Sequence, residues 1–338
     1  LLIGMGLSTF LHQRLPRVWT RRGPVAWALL PIAAVYGMLV VLRRWGYAAG
    51  VFQTRRVPAL VVVVGNVVAG GAGKTPVTIA LAKHLLAQGW RVGVISRGHG
   101  RQTQDVRAVA HNSSPLDVGD EPLLIHQATG VPVWVARARA DAAQGLLQAH
   151  PDVQILICDD GLQHWALARD LEICVMDERG LGNGWLLPAG PLRETWPRPV
   201  DWVLHTGPQL SGSAGVGGYR AQRQLADHAV GADGRRVALS TLKGQAVDAV
   251  AGLARPEAFF DMLRQSGMTL AHTTALPDHH DFEDWSPANT GRTLLCTEKD
   301  AAKLWPHEPG ALAVPLVITP EADFWTSLDA RIAQLLPR

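Results

Sequence analysis

From Leu60 to Val64 the chain runs five apolar residues without a break, four of them valine, and stops at Gly65. A continuous β-branched run of this kind predicts a strand buried on both faces. A glycine-rich turn follows, and after it Val77, Leu81 and Leu85 recur at helical spacing. That spacing predicts a helix over 76–88 closed by Gly89, a glycine at the C-cap. The same sequence of short apolar run and helical segment repeats downstream. Strands are predicted over 91–95, 131–135, 153–158, 201–204, 237–239, 294–296 and 313–318. Helices are predicted over 256–265, with Phe259, Phe260 and Leu263 on one face and Gly267 beyond its end, and over 324–336. Ser211 to Gly218, rich in glycine and serine, is expected to be a flexible exposed loop.

The turn after the first strand carries chemistry. Gly70-Gly71-Ala72-Gly73-Lys74-Thr75 stands between a buried strand and a helix, which is the setting of a phosphate-binding P-loop. Its glycines let consecutive N–H groups point into one concavity at a helix N-terminus. Lys74 would then reach the β- and γ-phosphates of a nucleotide, and the Thr75 hydroxyl would hold Mg²⁺. The usual pattern has glycine at position 68, which is valine here, so the signature is a variant. The fold expected is α/β. A P-loop NTPase-like three-layer α/β/α domain occupies 51–230, a second, smaller α/β domain occupies 231–338, and the two meet at a cleft. Residues 1–50 form an apolar, membrane-associating helical segment.

That N-terminal expectation rests on the uncharged stretch from Gly23 to Leu42, bounded by Arg22 and Arg43. About 20 residues suffice to span a bilayer core, and Trp27 and Tyr36 suit a membrane interface. Pro31 is expected to kink the segment. Three alternatives stand: a spanning helix, a helix lying in the membrane surface, and an apolar helix packed on the domain. No small-residue cleavage site precedes a mature domain, so a cleaved signal peptide is not expected. The formal charge of +3, with 18% charged residues, gives no argument for nucleic acid. Arg14, Arg17, Arg21, Arg22, Arg43, Arg44, Arg55 and Arg56 nevertheless crowd the first sixth of the chain. Cys158, Cys174 and Cys296 lack metal-ligand spacing and are expected to be reduced core residues.

A second chemical signal is Ile155-Leu156-Ile157-Cys158-Asp159-Asp160-Gly161, an apolar strand ending in paired carboxylates. A P-loop enzyme completes its Mg²⁺ shell with such groups, because a hard cation between phosphate oxygens takes carboxylate or water ligands. Arg97, His99 and Arg101 follow another predicted strand; they meet phosphate or form a solvated turn. Asp120 and Glu121 precede an apolar segment and are either a helix cap or part of a site. Asp278, His279, His280 and Asp281 form a metal cluster, a solvated loop or part of a site.

Taken in order, the segments Gly70–Thr75, Ser96-Arg97-Gly98, Gly119-Asp120-Glu121-Pro122 and Asp159–His164 are similar to tetraacyldisaccharide 4′-kinases, the lipid A 4′-kinases of Gram-negative bacteria. Arg179-Gly180, Leu187–Glu194, Gly252–Pro256, Asp278-His279-His280 and Thr297–Lys303 extend the resemblance over nearly the whole chain. It implies phosphoryl transfer from ATP to the 4′-hydroxyl of a tetraacylated glucosamine disaccharide 1-phosphate, at the cytoplasmic face of the inner membrane. The partners implied are that lipid A precursor and membrane lipids, without nucleic acid or an obligate protein partner. It implies that Asp120 is the base, paired with His279 in preference to His280, while Lys74 carries phosphate charge. Gly70, Gly71, Ala72, Gly73, Lys74, Thr75 and Gln163 would bind the nucleotide, and Thr75, Asp159 and Asp160 the Mg²⁺. Arg97, Arg139, His164, Arg193 and Glu194 would contact the lipid headgroup, where an arginine fork can bind phosphate through two bonds.

A second reading of the residues is a membrane-associated ATPase or GTPase switch acting on a protein. The Asp-His-His and Pro-Leu-Arg-Glu segments have no task in it.

Overall fold

The computed structural model describes residues 17–207, 218–288 and 291–336. In chain order its strands are β1 (Leu60–Gly65), β2 (Val92–Ser96), β3 (Arg107–Val109), β4 (Val133–Val135), β5 (Ile155–Asp159), β6 (Leu171–Met176), β7 (Trp202–His205), β8 (Gly218–Leu225), β9 (His228–Val230), β10 (Arg236–Ala238), β11 (Ala246–Ala251), β12 (Thr269–Ala275), β13 (Leu294–Thr297), β14 (Leu312–Val314) and β15 (Leu316–Pro320). The helices are α1 (Pro24–Ala28), α2 (Leu30–Ala48), α3 (Lys74–Ala87), α4 (Pro115–Val118), α5 (Asp120–Thr129), α6 (Arg139–Ala149), α7 (Pro256–Gln265), α8 (Glu298–Leu304) and α9 (Ala322–Leu335). Parallel pairing dominates, and the α/β class expected from the sequence is what the chain adopts. Contacts group the described residues into two compact units, one within 17–74, 155–221 and 320–336, the other within 75–154 and 222–319.

In the first unit β1 pairs in parallel with β5 on one side and β6 on the other, β6 with β7, and β7 with β8. Every residue of β1, β5 and β6 is buried, which is why β1 and β5 are apolar without alternation up to their last residue and β6 is apolar except at Glu172. The register sets Val64 opposite Asp159. Gly65, where the P-loop begins, and the carboxylate pair therefore leave neighbouring strands at the same level, at their carboxyl ends. Glycine is required at 65, since a Cβ there would lie 2.6 Å from Leu162 Cγ.

The apolar N-terminal stretch is two helices. The helical run is interrupted at Leu29, and Pro31 lies in the first turn of α2, where its missing N–H costs no bond; the interruption thus falls two residues before the proline expected to kink the segment. One face is packed: Tyr36 Oη donates to Arg193 O at 2.7 Å, Trp27 meets Trp185 edge-on at 5.0 Å, and Gly37 lies against Leu186. The other face shows Ile32, Val35, Met38, Leu39 and Leu42, each more than half exposed. No helix among the described residues is long and apolar enough to cross a membrane.

In the second unit β2 pairs in parallel with β4, and β4 antiparallel with β3. A six-stranded sheet has the order β10-β9-β14-β13-β11-β12, parallel from β14 to β12. Its side chains alternate between two cores. Val247, Ala249 and Leu295 pack with Phe259, Phe260 and Leu263 of α7; Val250, Cys296 and Ala313 pack with Phe282 and with Ala301 and Leu304 of α8. The single strand expected over 313–318 is two strands, because Pro315 has no N–H for the ladder. The three cysteines are free and buried, as expected. The glycine-serine loop predicted over 211–218 lies, except for Gly218, outside the described residues, as does Arg14.

Candidate active site

The P-loop of the first unit is bent by glycines at two positions that side chains disfavour, Gly70 at φ +93° and Gly73 at φ +82°. It is stapled on its outer side. Ala69 N donates to Pro191 O at 2.8 Å, Arg193 N to Val67 O at 2.7 Å, and Gln163 Nε2 to Asn66 O at 3.0 Å. Lys74, the first residue of α3, places Nζ 3.8 Å from Asp160 Oδ1. Arg193 Nη1 approaches the same carboxylate at 3.0 and 3.3 Å. Asp160 sits at φ +48°, a left-handed conformation that costs a non-glycine residue about 1–2 kcal/mol. Asp159, by contrast, is only 1% exposed at the end of β5. Glu194 is buried and accepts from Gln163 Nε2 at 2.7 Å and from Arg198 Nη1 at 3.3 Å. Arg198 also binds Glu172, and its guanidinium lies over the Trp165 ring. His164 closes the turn after the carboxylates, donating its N–H to Gly161 O at 2.9 Å.

The second unit gathers a different set. Asp120 begins α5, but its side chain does not cap the helix. His279 Nδ1 and Lys303 Nζ both meet Asp120 Oδ2, at 2.8 and 2.7 Å. Burial pushes the Asp120 carboxyl up, but the hydrogen bonds and charges of His279 and Lys303 outweigh it and hold the group below the usual carboxylate range. Close glycine contact fixes where α5 starts. Gly119 is at φ +91°, and a Cβ there would lie 3.0 Å from Gly98 Cα and His99 O. The Ser96-Arg97-Gly98 turn at the end of β2 is thereby drawn against Asp120, and the His99 ring comes within 5.5 Å of the His279 ring. His279 itself is at φ +63°. His280 turns elsewhere: its Nδ1 accepts from Phe282 N at 2.9 Å and its ring packs edge-on against Phe282. Arg97 is exposed at the end of β2, Arg139 is buried at the start of α6, and Thr75 is buried in the first turn of α3.

A glycine-rich loop with a lysine–aspartate contact, and a carboxylate–imidazole pair elsewhere in the same chain, are groups with the chemistry to serve a phosphoryl transfer to a hydroxyl. Comparison with known proteins gives the same answer. A family model described as tetraacyldisaccharide-1-P 4′-kinase matches residues 25–335. A tetraacyldisaccharide 4′-kinase of Acidovorax sp. (strain JS42) is 55% identical over 331 residues, covering 98% of this chain and 97% of that protein. One from Polaromonas naphthalenivorans (strain CJ2) is 53% identical over 335 residues, covering 96% of each.

The chain belongs to the tetraacyldisaccharide 4′-kinase family.

A solved structure of the Aquifex aeolicus member, LpxK, described as an "apo" form in complex with ATP, superposes with a TM-score of 0.79 at 27% identity, covering 92% of this chain and 99% of that one.

Three residues of this kinase had no role in the sequence reading. Lys299 and Lys303 are four apart on α8, so they share a face, and that spacing after a strand end was the available signal. Arg179 has Nε on Asp177 Oδ2 at 2.8 Å while Nη1 and Nη2 donate to the P-loop carbonyls of Ala69 and Gly71 at 3.2 and 2.8 Å. Its signal was an arginine two residues after an aspartate just beyond an apolar run. Turning those carbonyls outward favours an inward set of N–H groups. A hydrogen bond from a charged group contributes about 1.5–3 kcal/mol, so Arg179→Ala should speed amide exchange over Gly70–Gly73 by about tenfold or more. Exchange at the wild-type rate would show that the loop holds its shape unaided.

Proposed function

We propose that this kinase transfers the γ-phosphate of ATP to the 4′-hydroxyl of a tetraacylated glucosamine disaccharide 1-phosphate, working at the cytoplasmic face of the inner membrane. The observation that carries the reading is the buried Asp120 carboxylate 2.8 Å from His279 Nδ1. A nucleotide switch has no use for such a pair, whereas a sugar hydroxyl needs both orientation and a proton acceptor.

The roles follow from the chemistry of each group. The N–H groups of Gly70, Gly71, Ala72 and Gly73 and the Lys74 ammonium hold the triphosphate and stabilise charge as the phosphoryl group moves. Thr75, Asp159 and Asp160 would hold Mg²⁺, which when bound neutralises the β- and γ-phosphate oxygens. This donor set fits the ion. All are hard oxygens, and among the described residues no group of three or more His, Cys, Asp or Glu side chains could hold a metal alone. Mg²⁺ keeps its waters and phosphate ligands and takes one or two carboxylates, so a sparse protein shell suits it. Asp120 is ionised at neutral pH because its carboxyl lies below the usual range, and it accepts the proton of the 4′-hydroxyl. Arg193, Arg97, Arg139 and His164 serve the headgroup, with Arg193 exchanging Asp160 for a substrate phosphate. Glu194, 5% exposed, acts through Gln163, which it holds in place.

Labelled γ-phosphate supplied as ATP to the protein in detergent micelles should appear on the 4′ position of the disaccharide only when the lipid is present. Lys74→Ala and Asp120→Asn should each lower that rate by about two to three orders of magnitude. Phosphate released to water regardless of lipid, or an Asp120→Asn rate equal to wild type, would contradict the assignment.

The exposed apolar face of α2, with Arg43 and Arg44 in the helix's second half, supports a helix lying in the membrane surface where the acyl chains of the substrate remain. Burying one leucine contributes about 1.5–3 kcal/mol, so Leu39→Asp should weaken co-sedimentation with anionic phospholipid vesicles by about tenfold or more. Unaltered co-sedimentation would remove this face from the contact.

A further inference from the structure

Two lysines one helical turn apart on α8 close around the Asp120–His279 pair. Lys303 Nζ, on a side chain only 10% exposed, is 2.7 Å from Asp120 Oδ2 and also donates to the backbone carbonyls of His279 and His280 at 3.3 and 3.2 Å. Lys299 Nζ lies 3.0 Å from Asp278 Oδ1 and 3.2 Å from His279 Nε2. An ammonium can only donate, so Nε2 of the ring is the acceptor. The proton of the neutral imidazole is then on Nδ1, where it is given to Asp120. α8 is itself anchored. Thr297 accepts from Asp300 N at its start, and the buried Asp300 Oδ2 accepts from Thr297 Oγ1 at 2.6 Å and from Gly252 N at 3.0 Å, tying the helix to the end of β11.

We propose that Lys303 is a positioning residue of the phosphoryl transfer: from α8 it holds the Asp120 carboxylate and the His279 backbone in one arrangement, while Lys299 fixes which ring nitrogen faces the carboxylate. The proposal rests on the reading of Asp120 as the base. His279 occupies a left-handed conformation that its own chain does not favour, and the two carbonyl bonds from Lys303 span that residue and the next. The ionisable groups around the carboxylate come from four elements: Lys299 and Lys303 from α8, Asp278, His279 and His280 from the segment after β12, His99 from the turn after β2, and Glu121 next to Asp120 on α5. Lys303 is the cation among them that shares the Asp120 oxygen with His279. Removing it leaves burial, which raises the carboxyl, opposed by His279 alone. Fewer Asp120 groups are then ionised at a given acid pH.

The test is the pH profile of kcat for the full chain, with ATP, Mg²⁺ and the tetraacyl disaccharide 1-phosphate in micelles, for wild type, Lys303→Met, Lys303→Gln and Asp120→Asn. Gln keeps a donor for the carbonyls without the charge, so it decides the matter if the Met variant does not fold. Both Lys303 variants should move the acid limb toward neutral pH by about one unit or more and lower kcat by about tenfold, with KM for ATP changed less than about twofold. A lysine serving only the fold would lower the melting temperature and leave the acid limb where it is. If both variants keep the wild-type acid limb while Asp120→Asn is inactive, the positioning role is overturned and the base stands. If Asp120→Asn itself turns over at the wild-type rate, the base reading fails and takes this proposal with it.

Discussion

A carboxylate with 6% of its surface exposed stays ionised only if its charge is answered inside the protein, and Asp120 has both answers on one oxygen. Leaving such a group buried and unpaired would cost several kcal/mol, enough to neutralise it. Much of the second unit is arranged to prevent that. The Gly98–Gly119 contact sets where α5 begins, α5 packs against α8, and α8 is pinned by Asp300 to the end of β11. The segment carrying His279 follows β12, the neighbour of β11 in the same sheet. A change at any of these points moves one partner of the carboxylate relative to the others.

The first unit meets the opposite demand, gathering positive charge beside its glycine-rich loop, with Lys74 and Arg193 both on Asp160. Exposure separates its permanent ion pairs from its exchangeable ones. Arg198 is 2% exposed and is shared by Glu172 and Glu194, over the Trp165 ring; breaking such a buried pair costs about 3–5 kcal/mol, so this cluster is scaffold. Arg193 and Asp160 are 26% and 31% exposed, and a pair at that exposure contributes about 0–1 kcal/mol. It can open for a phosphate or a cation at little cost. The same contrast separates Asp159, sealed at the strand end, from Asp160, held in a left-handed conformation at the mouth of the turn. Among the described residues the other two left-handed positions that are not glycine are His279, within the second constellation, and Phe282, three residues on, so backbone strain marks both.

Much of this was legible in the sequence where the signal is local. A buried parallel strand has no alternation to hide it, so β1 and β5 and the loops at their carboxyl ends stood out as apolar runs meeting glycine or aspartate. Strands of mixed exposure did not: β3, β8 and β12 carry few apolar residues and were not anticipated, and the buried β6 and β11, each with a carboxylate inside the run, were not anticipated either. Asp120 shows the limit of local reasoning. By spacing it is a helix-cap aspartate, and only contacts 159 and 183 residues away make it something else. Lys303 and Arg179 lay in segments that carried the resemblance but had no role for the same reason, since a charged residue on a short helix or after a strand is ordinarily solvated. The proline signal was legible as well: an interruption was expected at Pro31 and falls at Leu29, so that the proline stands in the first turn of the next helix.

The central claim is that Asp120 takes the proton of the sugar hydroxyl, and geometry with both substrates bound tests it most directly. A crystal structure with Mg²⁺, a non-hydrolysable ATP analogue and the tetraacyl disaccharide 1-phosphate would fix the position of the 4′-oxygen. The account predicts that oxygen within about 2.6–3.2 Å of an Asp120 carboxylate oxygen, with His279 still on Oδ2. A 4′-oxygen held by other groups, with Asp120 buried away from it, would contradict the account.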